Sequence, residues 1–454
     1  MKYIPYFILL MTIVSTMAGC SSDNNSWTEE PPVTDSLIVI NENEECNRWI
    51  YSSMNKHYYW REDLPDSASC NYALSAQEFF KSLLSPKDRF SYTKTNENYK
   101  PSLSSYFGLE WQPIVDSKGR EAAIVVYVDK AIRSYGIRRG DYIEIVDNDY
   151  YNLNIRKVQL DINNNFIYSD KEIISIKAVN KPSTTVLCDS VYHIGVNRIG
   201  YMCYLQYEQI QDLNPSLKKF FNEGITDLIL DVRYNPGGLV KTMEFLVNRI
   251  VKNTAYGKLL QQQEYNEILS QERLKKYGEE RQSSYYQIIT NTPEDNPFGS
   301  DYPLNLPRLF VLTSKNTASA SEATIMHLRP YIEVITIGET TRGKGVGSYT
   351  ISNPRYKLAL QPITFRYYNA NGISTPDEGI TPDYYIPDGY TTSHKDIGEI
   401  EEPMLNFAIA LITGNSISSE FLSTNRYDNH NLPQEVGEPS YVTKYKQKQY
   451  YYGN

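Results

Sequence analysis

The sequence predicts a multidomain α/β protein with a small N-terminal helical domain, a β-rich module and a layered α/β core. From about residue 188 to 398, apolar runs of strand length alternate with amphipathic runs of helix length, the pattern of βα units stacked in layers. Ahead of them, short strand-like runs such as Ala122 to Val128 are punctuated by glycine turns, as in a separate β module. At 454 residues, 41% hydrophobic and 22% charged, the chain is long enough for about two to four domains with cores of their own.

The first element is an export signal. Lys2 precedes an apolar run, Ile8 to Val14, that is too short to span a bilayer but suits a secretory signal peptide. Met17-Ala18-Gly19-Cys20 resembles a bacterial lipoprotein cleavage site, which would make residues 1–19 the signal and Cys20 the lipidated first residue of the mature chain. The competing reading is ordinary cleavage near Ala18, leaving a soluble secreted protein. Residues 20–40 are expected to be a flexible tether, with Ser21 to Ser36 polar and rich in Ser, Asn, Asp, Glu and Pro. A cell-envelope lipoprotein anchored to the outer membrane is therefore expected, on either its periplasmic or its surface face.

Residues 41–98 read as the small helical domain, with Trp49, Tyr58, Tyr59 and Trp60 as its aromatic core and Asp88-Arg89-Phe90-Ser91-Tyr92 as its exit. Residues 99–187 form the β module: Tyr106-Phe107-Gly108-Leu109, the strand 122–128, and the run Ala131 to Val146, which reads as a short helix, a glycine turn and then a strand. In the core, 188–398, Asp227 to Arg233 is a buried-strand pattern that breaks at Asn235-Pro236-Gly237-Gly238. The charged stretch 256–300 suggests a solvated helical excursion and a candidate lid. A helix at 403–413 closes the domain within 399–454, and Gly414 onward reads as a loose tail.

The chemistry-bearing residues cluster in the core. Ser319-Ala320-Ser321-Glu322 opens an apolar segment that reads as a helix ending before Pro330, so the Ser319 backbone is electropositive and suits an oxyanion. A serine hydroxyl is a weak nucleophile at neutral pH and needs a neighbour to take its proton. Lys344, between Gly343 and Gly345 after the strand-like Glu333 to Ile337, can do so only if burial brings its amine from near 10.4 towards 7, about 4 kcal/mol of differential destabilisation. The paired glycines 237 and 238 can turn an amide N–H towards a substrate carbonyl.

Structural readings stand beside these. Ser319 with Glu322 three residues on is also a capping box, and Asn-Pro-Gly-Gly is also an ordinary turn. Gly338 to Lys344 imitates a phosphate-binding loop, but that loop needs Ser or Thr after the lysine and a helix beyond. Here Gly345 follows, and Val346 to Ile351 alternates like a strand.

Taken with Gly379-Ile380-Thr381-Pro382-Asp383, these segments resemble, in order, the C-terminal processing (tail-specific) peptidase family over roughly residues 80–390. The resemblance implies a ClpP/crotonase-like core and an acyl-enzyme mechanism. In it Ser319 attacks, Lys344 is general base, and the amides of Gly237 and Ala320 hold the oxyanion. Many members carry glutamine four residues after the lysine to orient the amine. This chain has Ser348 there, the candidate orienting residue. The aspartate that some members place eleven residues after the serine is Pro330.

The β module resembles a PDZ domain, which binds extended peptides at a sheet edge and receives their C-terminal carboxylate on a loop, here Phe107, Gly108 and Leu109. Glu110 stands where a glycine often follows. A net charge of −9 and a pI near 5.3 argue against nucleic acid as a partner. Without a Cys-x-x-Cys or a histidine cluster, neither metal nor cofactor is expected. Cys46, Cys70, Cys188 and Cys203 leave disulfides open. His327, eight positions along the helix from Ser319, lies about 12 Å further up, too far for a catalytic hydrogen bond.

The expected activity is that of an exported serine endopeptidase acting on unfolded or C-terminally exposed proteins, bound through their C-termini, with oligomers compatible. The alternative is a catalytically inactive PDZ-type peptide-binding protein.

Overall fold

The computed structural model describes residues 42–95, 107–148, 151–168, 172–178, 185–277, 283–285, 302–391, 395–415, 433–437 and 439–440. The expected signal peptide, Cys20 and the tether lie outside the described residues. Among those described, no helix is long and apolar enough to cross a membrane.

Helix α1 (Glu42–His57) begins with three acidic residues and ends on Lys56 and His57, both matching its dipole. Helix α2 (Ala76–Ser82) is opened by the Ser75/Glu78 capping box. Ile50, Met54, Tyr58, Phe79 and Phe80 bury between them, but Leu358 and Leu360 from far along the chain complete this core. Trp49 and Trp60 pack on it partly buried, whereas Tyr59 points elsewhere and hydrogen-bonds Glu264. The expected exit segment continues as strand β1 (Tyr92–Thr95). Here the helical domain is stitched into the core rather than merely preceding it.

Strands β2 (Leu109–Val115), β3 (Glu121–Val128), β4 (Tyr142–Asn148), β5 (Asn152–Leu160) and β6 (Phe166–Tyr168) run antiparallel in that order, with β7 (Ile174–Lys177) also on β5. Their inner face packs Leu109, Val125, Ile143, Leu153 and Ile155 around Ile132. Ile132 belongs to a 3-10 helix, Lys130–Tyr135, capped by the Asp129 carboxylate and ended by Gly136 at φ 71°.

The core follows as β8 (Val186–Ile194), β9 (Asn197–Tyr204), α3 (Asn214–Glu223), β10 (Asp227–Asp231), α4 (Val240–Ile250), β11 (Leu259–Tyr265), α5 (Glu267–Tyr277), β12 (Ser283–Tyr285), β13 (Arg308–Thr313), α6 (Ala320–Leu328), β14 (Glu333–Gly338), β15 (Val346–Ser348), β16 (Ile351–Asn353), β17 (Leu358–Gln361), β18 (Ile363–Tyr368), β19 (Tyr384–Tyr385) and α7 (Pro403–Thr413). The main sheet has the order β8-β9-β10-β13-β14-β19, parallel except for the β8/β9 pair. Parallel strands need both faces covered, and β10 is buried at every position. Residues of α3, α4 and α6 cover one face. The other meets Met404, Leu405 and Ala408 of α7 together with Ile114, Ile124 and Val126 of the β module.

A second sheet, β12-β11-β18-β15, and a third, β1-β17-β16, stand beside the main one. They correct the expectation of a solvated helical excursion at 256–300 over residues 259–265 only: α5 is helical and largely exposed, and residues 278–282 and 286–300 lie outside the described residues. Strand β11 pairs with β18, and Leu260, Gln261 and Tyr265 are buried. Within the polar run, Gln261 is buried with its Nε2 donating to Glu244, 2.8 Å away, while Gln262 and Glu264 face solvent. The loose-tail expectation also fails in part. Gln434–Glu435 form β20, paired antiparallel with β2, because that edge of the β module has backbone groups to satisfy.

Candidate active site

Ser319 sits where β13 hands over to α6, and its backbone is at φ 58°, ψ −115°. A non-glycine residue there costs of order 1–3 kcal/mol, and such strain concentrates where a side chain must be presented in one direction. Helix α6 is buried at every position, so the start of the helix is fixed by packing. Opposite stands the 235–238 turn. Asn235 accepts Ala318 N at 3.2 Å and Ser321 Oγ at 3.0 Å on its carbonyl, pinning the turn to the serine segment. A Cβ on Gly237, which is at φ 103°, would lie 2.7 Å from Ser319 Cβ and 2.9 Å from Ala320 N, so only glycine fits. The turn and the serine are in backbone contact. In this arrangement the Gly237 amide donates to Asn235 Oδ1 at 2.9 Å, while Gly238 lines the adjoining cleft.

That cleft, about 530 Å³, is shared by Ser319, Lys344 and Ser348. Lys344 reaches it from the Gly343-Lys344-Gly345 turn. Gly343, at φ 79°, is another forced glycine: a Cβ would come within 2.1 Å of the Asp377 carbonyl oxygen. Burial brings the Lys344 amine down to about 8, against the opposing pull of the Glu322 and Asp88 carboxylates. Its nitrogen lies 5.4 Å from the centre of the Phe90 ring.

Glu322 joins the two halves. Fully buried, its carboxylate accepts Ser319 N and Lys344 N at 2.8 Å each, Gly343 N at 2.7 Å and the Thr341 hydroxyl at 2.5 Å. Burial pushes its pKa up, and these four donors oppose the rise. The capping-box reading of Ser319 and Glu322 thus holds for the Ser319 amide, and the same carboxylate also fixes the lysine turn. Thr341 is held in turn by Ile380 N at 2.7 Å, which gives the 379–383 segment a part in the site.

Ser348 Oγ accepts Gln361 Nε2 at 2.8 Å, and Gln361 Oε1 accepts the Thr350 hydroxyl at 2.6 Å. The segment after Lys344 forms strands β15 and β16 and no helix, contrary to what a phosphate-binding loop requires. His327 packs in the core, its imidazole brought down to about 3 by burial, with its ring against Tyr367. Phe107, Gly108 and Leu109 do not reach the cleft. The two side chains are core, and the Gly108 carbonyl accepts Asp129 N at 2.7 Å. Among the described residues, Cys46, Cys70, Cys188 and Cys203 carry free thiols.

Sequence reasoning missed the contribution of the N-terminal domain. Tyr92 and Lys94 line the cleft because β1 pairs with β17, setting Tyr92 opposite Gln361. Burial lowers the Lys94 amine to about 8. Arg89 donates to the carbonyls of Gly343 at 2.9 Å and Asp377 at 2.6 Å, bracing the lysine turn. No local pattern announces these roles, since each depends on pairing across more than two hundred residues.

Comparison with known proteins agrees with this architecture. The model of "Peptidase family S41" matches residues 198–386, and that of "Peptidase S41 N-terminal domain" matches residues 45–92. The carboxy-terminal processing protease CtpB of Bacillus subtilis is 25% identical over 236 residues, half of this chain. That match spans 42% of the length of CtpB. A solved structure from Bacteroides fragilis, assigned to the S41 proteases, superposes with a TM-score of 0.65 at 21% identity, covering 86% of this chain and all of that one. The photosystem II D1 C-terminal processing protease gives a TM-score of 0.45 at 14% identity over 77% of this chain and 94% of its own.

Proposed function

Because the chain belongs to peptidase family S41, whose two matched domains together span just over half of it, we propose that it is a serine endopeptidase with Ser319 as nucleophile and Lys344 as base. The observation that carries this is one cleft holding a backbone-strained serine and a lysine whose amine is brought down to about 8. The Ser319 hydroxyl gives its proton to the Lys344 nitrogen as its oxygen adds to the peptide carbonyl. The lysine then passes that proton to the departing amine, and water releases the acyl group by the reverse relay. The Ala320 amide, at the start of α6, and an amide of the facing Gly237-Gly238 turn stabilise the oxyanion. Gly237 can serve once Asn235 releases it. Ser348, held by Gln361, is the candidate to orient the amine.

In this reading the β module is a PDZ-like peptide binder that uses the loop 107–109 and selects substrates by their C-termini. The protein is exported and lipid-anchored through Cys20 to the outer membrane. Protein substrates follow from the family; the preference for C-termini is part of the proposal.

Cleavage of an unfolded protein substrate by wild type, Ser319→Ala and Lys344→Ala decides the dyad. Each variant should lose at least ~10³-fold in kcat/KM, and equal cleavage by all three rejects it. Labelled palmitate should enter the wild type and not Cys20→Ala. Label and membrane fractionation retained in the variant would remove the anchor. Amidating a substrate's C-terminus should weaken binding, and unchanged affinity would remove the carboxylate-reading role of the β module.

A further inference from the structure

The outer edge of β2 carries an occupant from the same chain. Glu435 pairs opposite Ile114 and Gln434 opposite Val115, antiparallel. Val436 N donates to the Pro113 carbonyl at 2.9 Å. Buried Gln112 donates its side-chain amide to the Val436 and Gly437 carbonyls at 3.2 and 3.4 Å. Ser440 Oγ then accepts Trp111 N at 2.8 Å and donates to the Glu110 carboxylate. The described residues 434–437 and Ser440 therefore follow β2 back from Val115 to Glu110, two residues short of Gly108. This is the direction and the edge that an added peptide strand would take.

The segment also contacts the catalytic half of the molecule. The Glu435 carboxylate is held by Lys315 Nζ and the Tyr390 hydroxyl. Lys315 lies on the loop between β13 and α6, four residues before Ser319. The edge thus suits an extended chain that brings an acid to Lys315 and a hydroxyl donor to Glu110.

We propose that the β2 edge is a peptide-accepting surface whose resident ligand is the segment of this same chain that places residues 434–437 and Ser440 on it, so that a substrate tail docks there only by displacing that segment. The inference rests on the proposed PDZ-like reading of the β module. It adds that the vacancy is filled from within, and that the filled state reports through Glu435 to the loop before the nucleophile. An internal strand lowers the apparent affinity for any competitor by the fraction of time the edge is open. An edge open one tenth of the time weakens binding about tenfold.

The test uses the full chain with Ser319→Ala, so that no outcome depends on cleavage. The probe is a fluorescent peptide with the sequence of residues 433–440. Adding Val436→Pro and Ser440→Ala removes the strand's amide donor and the hydroxyl shared by Trp111 and Glu110. This variant should bind the probe about tenfold more tightly than its parent, and the Trp111 amide, which donates to Ser440 Oγ in the parent, should exchange with deuterium faster than it does there. Equal affinity in the two, or no binding by a variant whose segment has been released, overturns the proposal. If the variant fails to fold, the parent alone decides: a Val436 amide exchanging at the rate of an unstructured peptide overturns it, and a protected one sustains it. Failure of the peptidase reading would appear separately, as undiminished cleavage by Ser319→Ala.

Discussion

A single carboxylate oxygen of Glu322 accepts the backbone amides of both Ser319 and Lys344, each at 2.8 Å. The nucleophile's strained turn and the base's glycine turn, which come from different strands, are therefore set against each other by one buried group. In the proposed mechanism Glu322 touches no reacting atom, so it is a positioning residue, and its charge also holds up the Lys344 amine against burial.

Glu322→Gln should therefore have two separable effects. The amide turns an NH₂ towards backbone donors that need an acceptor, which should cost about 1–3 kcal/mol of stability and lower kcat more than KM. Loss of the negative charge also lets the Lys344 amine fall further, so the rising limb of the pH–rate profile should move to lower pH. A stability loss with an unmoved limb would mean that the carboxylate is structural only.

For the wild type, the free amine is the active form of the base. With the Lys344 pKa near 8, kcat/KM should rise as pH increases through about 8 and be low at pH 6, where nearly all the amine is protonated. Rates on a peptide substrate from pH 6 to 10 check this. A flat profile over that range would exclude Lys344 as the titrating base.

Much of this site was legible from residue types alone, because a serine at a helix start and a lysine between glycines demand particular local backbones. The strand at 227–231, helix α6 and strand β14 follow from apolar runs that need no distant partner to be recognised. What stayed hidden depends on pairing across the chain. Tyr92 and Lys94 enter the cleft only because β1 finds β17, and residues 434–435 become a strand only because β2 has an edge to fill. In the polar run at 261–264, Gln262 and Glu264 are exposed as their polarity predicts, but Gln261 is buried beside Glu244 because β11 pairs with β18 and alternates its faces, a pairing no local pattern announces.

Ser348 tests whether a shorter residue can do the work of a glutamine. Its hydroxyl oxygen accepts from Gln361 and has a second lone pair left to accept an N–H of the Lys344 amine, which leaves the nitrogen's own lone pair for Ser319. Ser348→Ala should lower kcat by about 10-fold, roughly the worth of one hydrogen bond at 1.4 kcal/mol. Gln361→Ala should act in the same direction, and the double variant should cost less than the product of the two. Full additivity would show that the pair does not act together.

The joint between the β module and the core is a charge cluster in which Arg139, Arg233 and Glu402 are buried and the Asp388 side chain is nearly so. Arg139 of the module bonds Asp388 and donates to Tyr234 Oη at 2.6 Å, while Arg233 grips Glu402 with two bonds of 2.7 and 3.0 Å. The two arginines hold the Asp388 and Glu402 carboxyls below their ordinary range, although burial alone would raise them. Carboxylates depressed in the folded state add stability above their unfolded pKa, near 4, and lose it as pH falls through the depressed values. Arg139→Met should leave Asp388 short of a partner and cost about 3 kcal/mol or more at pH 7. That penalty should shrink towards pH 4 as the orphaned carboxyl takes up a proton. Urea unfolding of wild type and variant at pH 7 and pH 4 measures both, and a penalty independent of pH would show that Arg139 acts by packing rather than by charge.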